Sequence, residues 1–526
     1  MYGTCWGACI HGIRGVPVRV EIDLSNGLPL FSIVGLPDNA VRESTERVRA
    51  ALKNGAYEFP MRRITVNLAP ADIRKEGASF DLAIAVGILV TSGQWPEAAE
   101  DTLFLGELSL LGEVRAVPGV LSMVLAAKEA GLREAVVPWD NAGEAALIDG
   151  IRIVPVRHLS DIPGVRTAGL SPVHALQQAN SPDVDEAAAE GGDFADVVGQ
   201  QQAKRALTIA AAGLHNVVFI GPPGSGKTML MRRLPSILPP LTDDEALEVT
   251  QIYSATGKTA ARGTLMRKRP FRSPHHTISA QGMIGGGAHP KPGEISLAHR
   301  GVLFLDEWPE FPRTVLESLR QPLEDAEVNI ARAKTSVTFP ARFALAATMN
   351  PCGCGYDGYE DRWRQCTCSE VRKRGYLSKI SGPLLDRIDL SMDVPRLPPS
   401  DASFLQTDTK EVRTGSKEMA GQVNRALQMQ QERYRGTGIR YNSDLTGKQL
   451  QLHCRLDRDS SDVLISAYQS TGLSARGYGR VLRVARTIAD LEGKERIEAG
   501  HVHEALFYRA LDLRLQRTEA GGCGQG

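Results

Sequence analysis

The stretch Val217 to Thr228, VVFIGPPGSGKT, decides the fold. Val217, Val218, Phe219 and Ile220 read as a short strand buried on both faces. A glycine-rich turn follows, Gly221, Pro222, Pro223, Gly224, Ser225 and Gly226, and it closes on Lys227 and Thr228. This spacing lets backbone N–H groups converge on phosphates where a helix begins, with Lys227 reaching the outer phosphates and the Thr228 hydroxyl on Mg²⁺. A glycine-rich turn that bound no nucleotide would need neither the lysine nor the threonine.

Working outward, Gly301 to Glu307, GVLFLDE, is an apolar run ending in two acids. Asp306 is expected at the carboxyl end of a parallel strand, holding Mg²⁺ through water, and Glu307 is placed to take a proton from the attacking water. Phe343 to Thr348 reads as a third strand ending at Met349 and Asn350, beside the crevice where open α/β sheets bind ligands. Asn350 either orients that water or is a turn-former before Pro351.

The chain has 526 residues, enough for three or four domains, and its 42% hydrophobic and 23% charged residues are those of an ordinary soluble protein. No apolar run is long enough for a membrane span, and MYGTCWGACIHGIRG lacks the layout of a signal peptide, so the expected compartment is the cytoplasm. Lys plus Arg (61) equals Asp plus Glu (61), so any contact with nucleic acid must come from local basic clusters. Of eight cysteines, Cys352, Cys354, Cys366 and Cys368 form two C-x-C pairs. They suit a tetrahedral thiolate zinc site, with unligated or redox-active thiols as the alternative. Cys454 is expected to be buried and Cys523 to lie in the tail.

From Val16 to about Leu159 short strands alternate with helices. VPVRVEIDL and LPLFSIVGL read as paired strands, Asp38 to Asn54 as an amphipathic helix, RITVNLAPA as a strand and FDLAIAVGILVTSG as a buried helix. A Pro-, Gly- and Ala-rich linker follows. Asp196 to Gly213 leads into the strand before the glycine-rich turn. Nearly seventy residues lie between the helix that follows the turn and GVLFLDE, too many for a plain crossover, which implies an insertion. It holds Lys258, Arg262, Arg267, Lys268, Arg269 and Arg272, either a solvated face or a polyanion contact. It also holds His275 and His276, which read as structural hydrogen-bonding residues. Val328 to Pro340 alternates as a hairpin with Arg332, Ala333 and Lys334 at its tip. ISGPLLDRIDL is a helix-to-strand passage around Arg387, for which ordinary salt bridging is the plain account. The last domain is helical by period, with Arg476, Arg480, Arg483 and Arg486 on one helix and its approach.

Together FSIVGLPDNAVRESTERVRAALKN, GPPGSGKT, RPFRSPHHTIS, PGEISLAHRGVLFLDE, NPCGCG with the later CTC, SGPLLDRIDL and SARGYGRVLRVARTIADL resemble the magnesium-chelatase-like AAA+ ATPases of the YifB/ComM type, competence protein ComM included. The first C-x-C pair differs in having Gly353 where that pattern often has Pro. The resemblance implies a multidomain α/β chain. Its parts are a Lon-protease-like α+β N-terminal domain (1–165), a linker (166–193), a P-loop AAA+ αβα core with helix-2 insertion and four-Cys element (194–398), a second linker (399–422), a helical C-terminal lid (423–516) and a disordered tail (517–526). It further implies ATP and Mg²⁺ as cofactors, a homo-hexameric ring, and a motor or helicase role on branched or single-stranded DNA, with branch migration during natural transformation. Arg387 matches the arginine that reaches into the neighbouring subunit's site, and Arg476 the second sensor on the lid, with Arg480 next in line. Contact of the Arg332 and Lys334 hairpin with DNA is expected in the ring channel. Two other functions compete. A Lon-like protease would use Ser79 in KEGASFD, but Leu121, Ser122 and Met123 offer no amine where its partner lysine should lie. A magnesium chelatase subunit would share the ATPase core, but neither the N-terminal domain nor the four cysteines are expected in it.

Overall fold

The computed structural model describes residues 1–96, 100–163, 192–258, 264–287, 290–332, 335–359, 364–396, 414–471, 473–512 and 514. The first expected linker up to residue 191, the second up to 413, Ala333 and Lys334 at the hairpin tip, and the tail at 517–526 lie outside the described residues.

The N-terminal part is built on seven strands: β1 (Tyr2–His11), β2 (Arg14–Ser25), β3 (Leu30–Val34), β4 (Arg63–Ala69), β5 (Thr102–Phe104), β6 (Glu134–Pro138) and β7 (Arg152–Val156), in the order β3-β4-β2-β1-β5-β6-β7. The two stretches expected to pair, β2 and β3, do not. β1, which the sequence left unassigned, takes one side of β2 as an antiparallel hairpin, Tyr2 opposite Asp23 through His11 opposite Arg14, turned by Gly12 at φ 69°. β4 takes the other side and carries β3 as a parallel edge strand. Helix α1 (Asn39–Asn54) starts where the Asp38 carboxylate accepts from the Val41 N–H and buries Val41, Ser44, Val48, Ala51 and Leu52, the spacing of one helical face. Helix α2 (Asp81–Thr91) is buried almost throughout, and its buried Asp81 is paired to Arg47 at 2.6 Å.

Helix α3 (Val120–Glu129) completes this part, and α4 (Gln201–Gly213) opens the next. The second sheet is wholly parallel, with order β9-β10-β13-β8-β14. Its strands are β8 (Val217–Ile220), β9 (Phe271–Arg272), β10 (Val302–Leu305), β13 (Ala344–Met349) and β14 (Leu390–Asp393). Along β8, Val217 and Phe219 face the core shared with α4 and the C-terminal helices, while Val218 and Ile220 face the core of Trp308, Phe339 and Leu345. Both faces are covered, which is why the strand reads as an unbroken apolar run. The long insertion is really two crossovers, because the two-residue strand β9 interrupts it; helix α6 (Asp243–Ala255) precedes β9. β11 (Glu327–Arg332) and β12 (Thr335–Pro340) form the expected hairpin as a separate two-stranded sheet. Its Val337 meets the β1–β2 turn closely enough that a Cβ on Gly12 would lie 2.7 Å from it.

The C-terminal helices are α7 (Ser416–Arg433), α8 (Arg458–Thr471), α9 (Ala475–Leu491) and α10 (Ala499–Phe507). The first begins ahead of the expected boundary at 423, inside the stretch expected as linker.

Helix α6 ties the three parts together. At its start, buried Glu245 faces three guanidinium groups: Arg269 at 3.1 Å, Arg440 at 2.7 Å and Arg300 at 3.6 Å. At its end the Ser254 carbonyl accepts from the Gly119 N–H at 3.0 Å, and the Ser254 hydroxyl donates to buried Glu144 at 2.8 Å. Glu245→Ala leaves Arg269 buried without its carboxylate and is expected to cost about 3–5 kcal/mol. Arg440→Ala removes a half-exposed partner and is expected to cost about 1 kcal/mol or less. Urea unfolding of the two variants beside the wild type checks the order, and equal midpoints would contradict it.

Candidate nucleotide site

The turn from Gly221 to Gly226 leaves the carboxyl end of β8, and the Gly221 N–H is anchored on the Met349 carbonyl at the end of β13 (3.2 Å). Gly224 and Gly226 take φ 78° and 88°, where a side chain would be strained. Gly221 has no room for one either, since a Cβ there would lie 2.2 Å from the Val394 carbonyl oxygen. Helix α5 (Lys227–Arg232) begins at the turn's end.

Lys227, Thr228, Asp306, Glu307 and Asn350 are brought together at the carboxyl ends of β8, β10 and β13. The buried Lys227 ammonium donates to the Gly221 and Pro222 carbonyls at 2.7 and 2.9 Å and lies 3.5 Å from Asn350 Oδ1. The Thr228 hydroxyl is 3.1 Å from both Asp306 carboxylate oxygens. Burial pushes the Lys227 ammonium down to about 8, although Asp306 and Glu307 work against the fall. Glu307 turns out of the strand at φ 53° with its carboxylate largely exposed, and His276 Nδ1 is 3.9 Å away.

Two members escaped the sequence. Thr348 donates to Asp306 and accepts from the Glu307 N–H at 3.3 Å, fixing one acid against the other. Its place two residues before Asn350, on the same side of a strand, was the available signal. Arg396 donates to the Pro223 carbonyl at 3.2 and 2.9 Å, which no motif announced.

Arg387 and Arg476 are elsewhere. They line a pocket of about 510 Å³ with Asn216, Phe343 and Asp389, the residues just ahead of β8, β13 and β14. That is the amino end of the same parallel strands, opposite the turn. Arg387 pairs with Glu324 at 2.6 Å, and exposed Arg476 reaches Asp386 at 3.4 Å. The structure therefore does not bring Arg476 to the cradle of its own chain. Arg480 is buried on the Leu385 and Ile388 carbonyls at 3.0 and 2.7 Å.

Among the basic residues of the insertion, Arg267 pairs with Asp243, Arg269 with Glu245 and Arg272 with Glu294; Arg262 lies outside the described residues. Arg332 closes the hairpin ladder opposite Thr335.

The sulfurs of Cys352, Cys354, Cys366 and Cys368 all lie within 4.8 Å of one another, and three of the pairs are 3.3, 3.8 and 3.6 Å apart. Four sulfurs about 2.3 Å from one ion would sit at such separations, so the donor set fits a tetrahedral metal. Burial raises the Cys366 thiol to about 12, whereas at Cys354 backbone hydrogen bonds from Tyr356 and Thr367 outweigh burial and bring the thiol down to about 6. In the N-terminal part, the Ser79 hydroxyl donates to the Ala8 carbonyl at 2.9 Å.

A parallel sheet with this turn, two acids at the end of the strand next but one and a helical C-terminal part defines an ATPase-type AAA+ core. Three family models match the chain: "Magnesium chelatase, subunit ChlI" over residues 193–402, "Subunit ChlI of Mg-chelatase" over 20–141 in the N-terminal part and "Magnesium chelatase, subunit ChlI C-terminal" over 413–509. The chain is 43% identical to competence protein ComM of Haemophilus influenzae over 508 residues, 96% of this chain and 97% of that one. It is 42% identical to YifB of Salmonella typhimurium over 505 residues, 96% of each. A 185-residue stretch, 34% of this chain and 24% of the other, is 24% identical to Lon protease of Mycolicibacterium smegmatis. The chain belongs to the YifB/ComM family of magnesium-chelatase-like proteins. No helix among the described residues is long and apolar enough to cross a membrane.

The lowered Lys227 ammonium has a measurable consequence. Phosphates bound in the turn would hold it protonated, so above about pH 8 nucleotide binding there would take up a proton. Affinity for ATP is expected to fall with rising pH there, by up to about tenfold per unit. Calorimetry at pH 8.5 to 9 in buffers of different ionisation enthalpy reads the uptake directly, and binding without uptake would contradict it.

Proposed function

We propose that the protein is an ATP-hydrolysing ring motor acting on DNA, branched or single-stranded, of the kind that migrates branches of recombination intermediates in natural transformation. The observation that carries the ring is the division of the catalytic set between the two ends of one parallel sheet. Lys227 binds the outer phosphates within the cradle from Gly221 to Gly226, Thr228 and Asp306 hold Mg²⁺, Glu307 takes the proton and Asn350 orients the water. Arg387 and Arg476, at the far end of the strands, serve the nucleotide of a neighbouring copy. A homo-hexamer closes that arrangement head to tail. An arginine supplied in trans is typically worth about 10³ to 10⁵ in rate, so hydrolysis then depends on assembly. Cys352, Cys354, Cys366 and Cys368 hold one zinc ion, whose chemistry is structural.

Support for DNA is of another kind. The resemblance to the ComM type supplies the substrate class, and three arginines of the basic insertion are spent on internal ion pairs. The hairpin with Arg332 and Lys334 is therefore the contact we assign. A chelatase-type motor remains the second reading, favoured by the family models but not by the four-cysteine element. The Ser79 hydroxyl is held by a backbone carbonyl, which supports a non-proteolytic N-terminal domain.

Arg387→Ala chains should bind ATP and hydrolyse it poorly, as should Glu307→Gln, while Lys227→Ala should fail to bind. Mixing Arg387→Ala with Lys227→Ala chains should restore part of the activity, because some junctions then join a sound cradle to a sound arginine. Demonstrated mixed rings without activity would defeat action in trans.

For DNA, Arg332→Ala with Lys334→Ala should lower affinity and flatten the salt dependence, each lost phosphate contact removing about 0.9 from the slope of log affinity against log salt on duplex. Unchanged affinity and slope on forked DNA would remove the hairpin from the interface.

A further inference from the structure

We propose that the four-cysteine element is a metal-dependent clamp on the phosphate cradle, so that zinc and nucleotide bind cooperatively. The inference rests on the zinc assignment above, and concerns what that zinc does.

The element grips the site at two points. Cys352 stands two residues beyond Asn350, whose Oδ1 lies 3.5 Å from Lys227 Nζ, so the first ligand pair is the direct continuation of the strand that ends in the site. Just past Cys354, Gly355 at φ 88° lies against the turn, and a Cβ there would come within 2.7 Å of Pro223 Cδ. The next residue, Tyr356, has the Arg396 guanidinium 5.5 Å from its ring centre. That same guanidinium holds the Pro223 carbonyl through Nε and Nη2. Tyr356 in turn is tied to Arg364, which donates to its hydroxyl and lies 5.5 Å from its ring, two residues before Cys366. A line of contact thus runs from the second cysteine pair through Arg364, Tyr356 and Arg396 to the middle of the cradle.

Beyond Tyr356 the loop is held by side chains, with Asp357 paired to Lys373 at 2.6 Å and the Arg514 guanidinium 5.3 Å from the Tyr359 ring centre. Among the described residues between Asn350 and Ser369 there is no helix or strand, so the loop lacks a backbone ladder of its own. With the four sulfurs on one ion the loop is closed at both ends; without the ion no bond joins the two C-x-C pairs. Gly355 and Tyr356 then leave Pro223, and a nucleotide must order turn and loop together before its phosphates are fully held. The ordering cost weakens nucleotide binding, and by linkage nucleotide must strengthen zinc binding by the same factor. Tyr356 is accordingly a positioning residue, acting through Arg396 on the cradle.

The test uses the full chain, with ADP as the nucleotide probe and a chromophoric chelator competing for zinc. Protein purified in reductant without chelator should carry one zinc per chain. ADP affinity should be about tenfold weaker after zinc removal and recover when zinc is returned. Zinc affinity should rise by the same factor in saturating ADP, and Lys227→Ala should abolish that rise. Tyr356→Ala should keep its zinc and lose most of the coupling in both directions, whereas Tyr356→Phe should retain the ring and most of the coupling. Absence of any transition metal in the purified chain overturns the zinc assignment and the clamp with it. Zinc present, but ADP affinity equal with and without it, overturns the clamp alone. If the zinc-free chain unfolds, the zinc-loaded Tyr356→Ala variant decides: wild-type ADP affinity there overturns the clamp.

Discussion

A parallel sheet has two unlike ends, and this polarity organises the molecule. Five strands running the same way put every following turn at one end and every preceding one at the other. The residues that leave β8, β10 and β13 therefore converge: the glycine turn, the acids Asp306 and Glu307, and Asn350. Those that enter β8, β13 and β14 converge too, around the pocket of Arg387 and Arg476. The strands are short, four residues in β8, β10 and β14, yet at roughly 3.3 Å per residue they still hold the two sets apart. A single chain cannot close that gap by moving a side chain.

This explains what could be read from the sequence and what could not. VVFIGPPGSGKT and GVLFLDE were legible because their chemistry is local: an apolar run sets a buried strand and the next residues must sit at its end. The buried helix α2 and the amphipathic helix α1 were legible for the same reason, through their apolar pattern, while the Asp38 cap was seen only in the fold. β9 was not, because a two-residue strand has no period; what makes Phe271–Arg272 a strand is the neighbour, Val302 and Leu303, supplied from further along the chain. The pairing of β2 failed similarly. Periodicity names strands but says nothing about which of β1, β3 or β4 will lie beside them. Thr348 and Arg396 belong to the site through contacts across elements, and the ends to which Arg387 and Arg476 go are set by topology.

The charged residues of the insertion teach a related point. In the sequence Arg267, Arg269 and Arg272 make a basic run open to any anion. In the fold each has an acid within 3.1 Å, and Arg269 is buried. Composition counted them as available surface charge, but Arg269 is spent inside the fold on Glu245, since a buried guanidinium unpaired would be very costly, while the Arg267 pair stays exposed. Net charge of zero thus conceals a molecule whose positive groups are unequally free.

Helix α6 is pinned at one end to the C-terminal helices through Glu245 and Arg440 and at the other to the N-terminal sheet through Ser254, Gly119 and Glu144. A helix held at both ends couples the parts it joins. On the proposed motor function, any rocking of the C-terminal helices would be passed to the seven-stranded domain through this helix. A motor built this way would carry that domain in its moving mass, and a load placed on it would act as drag on the stroke.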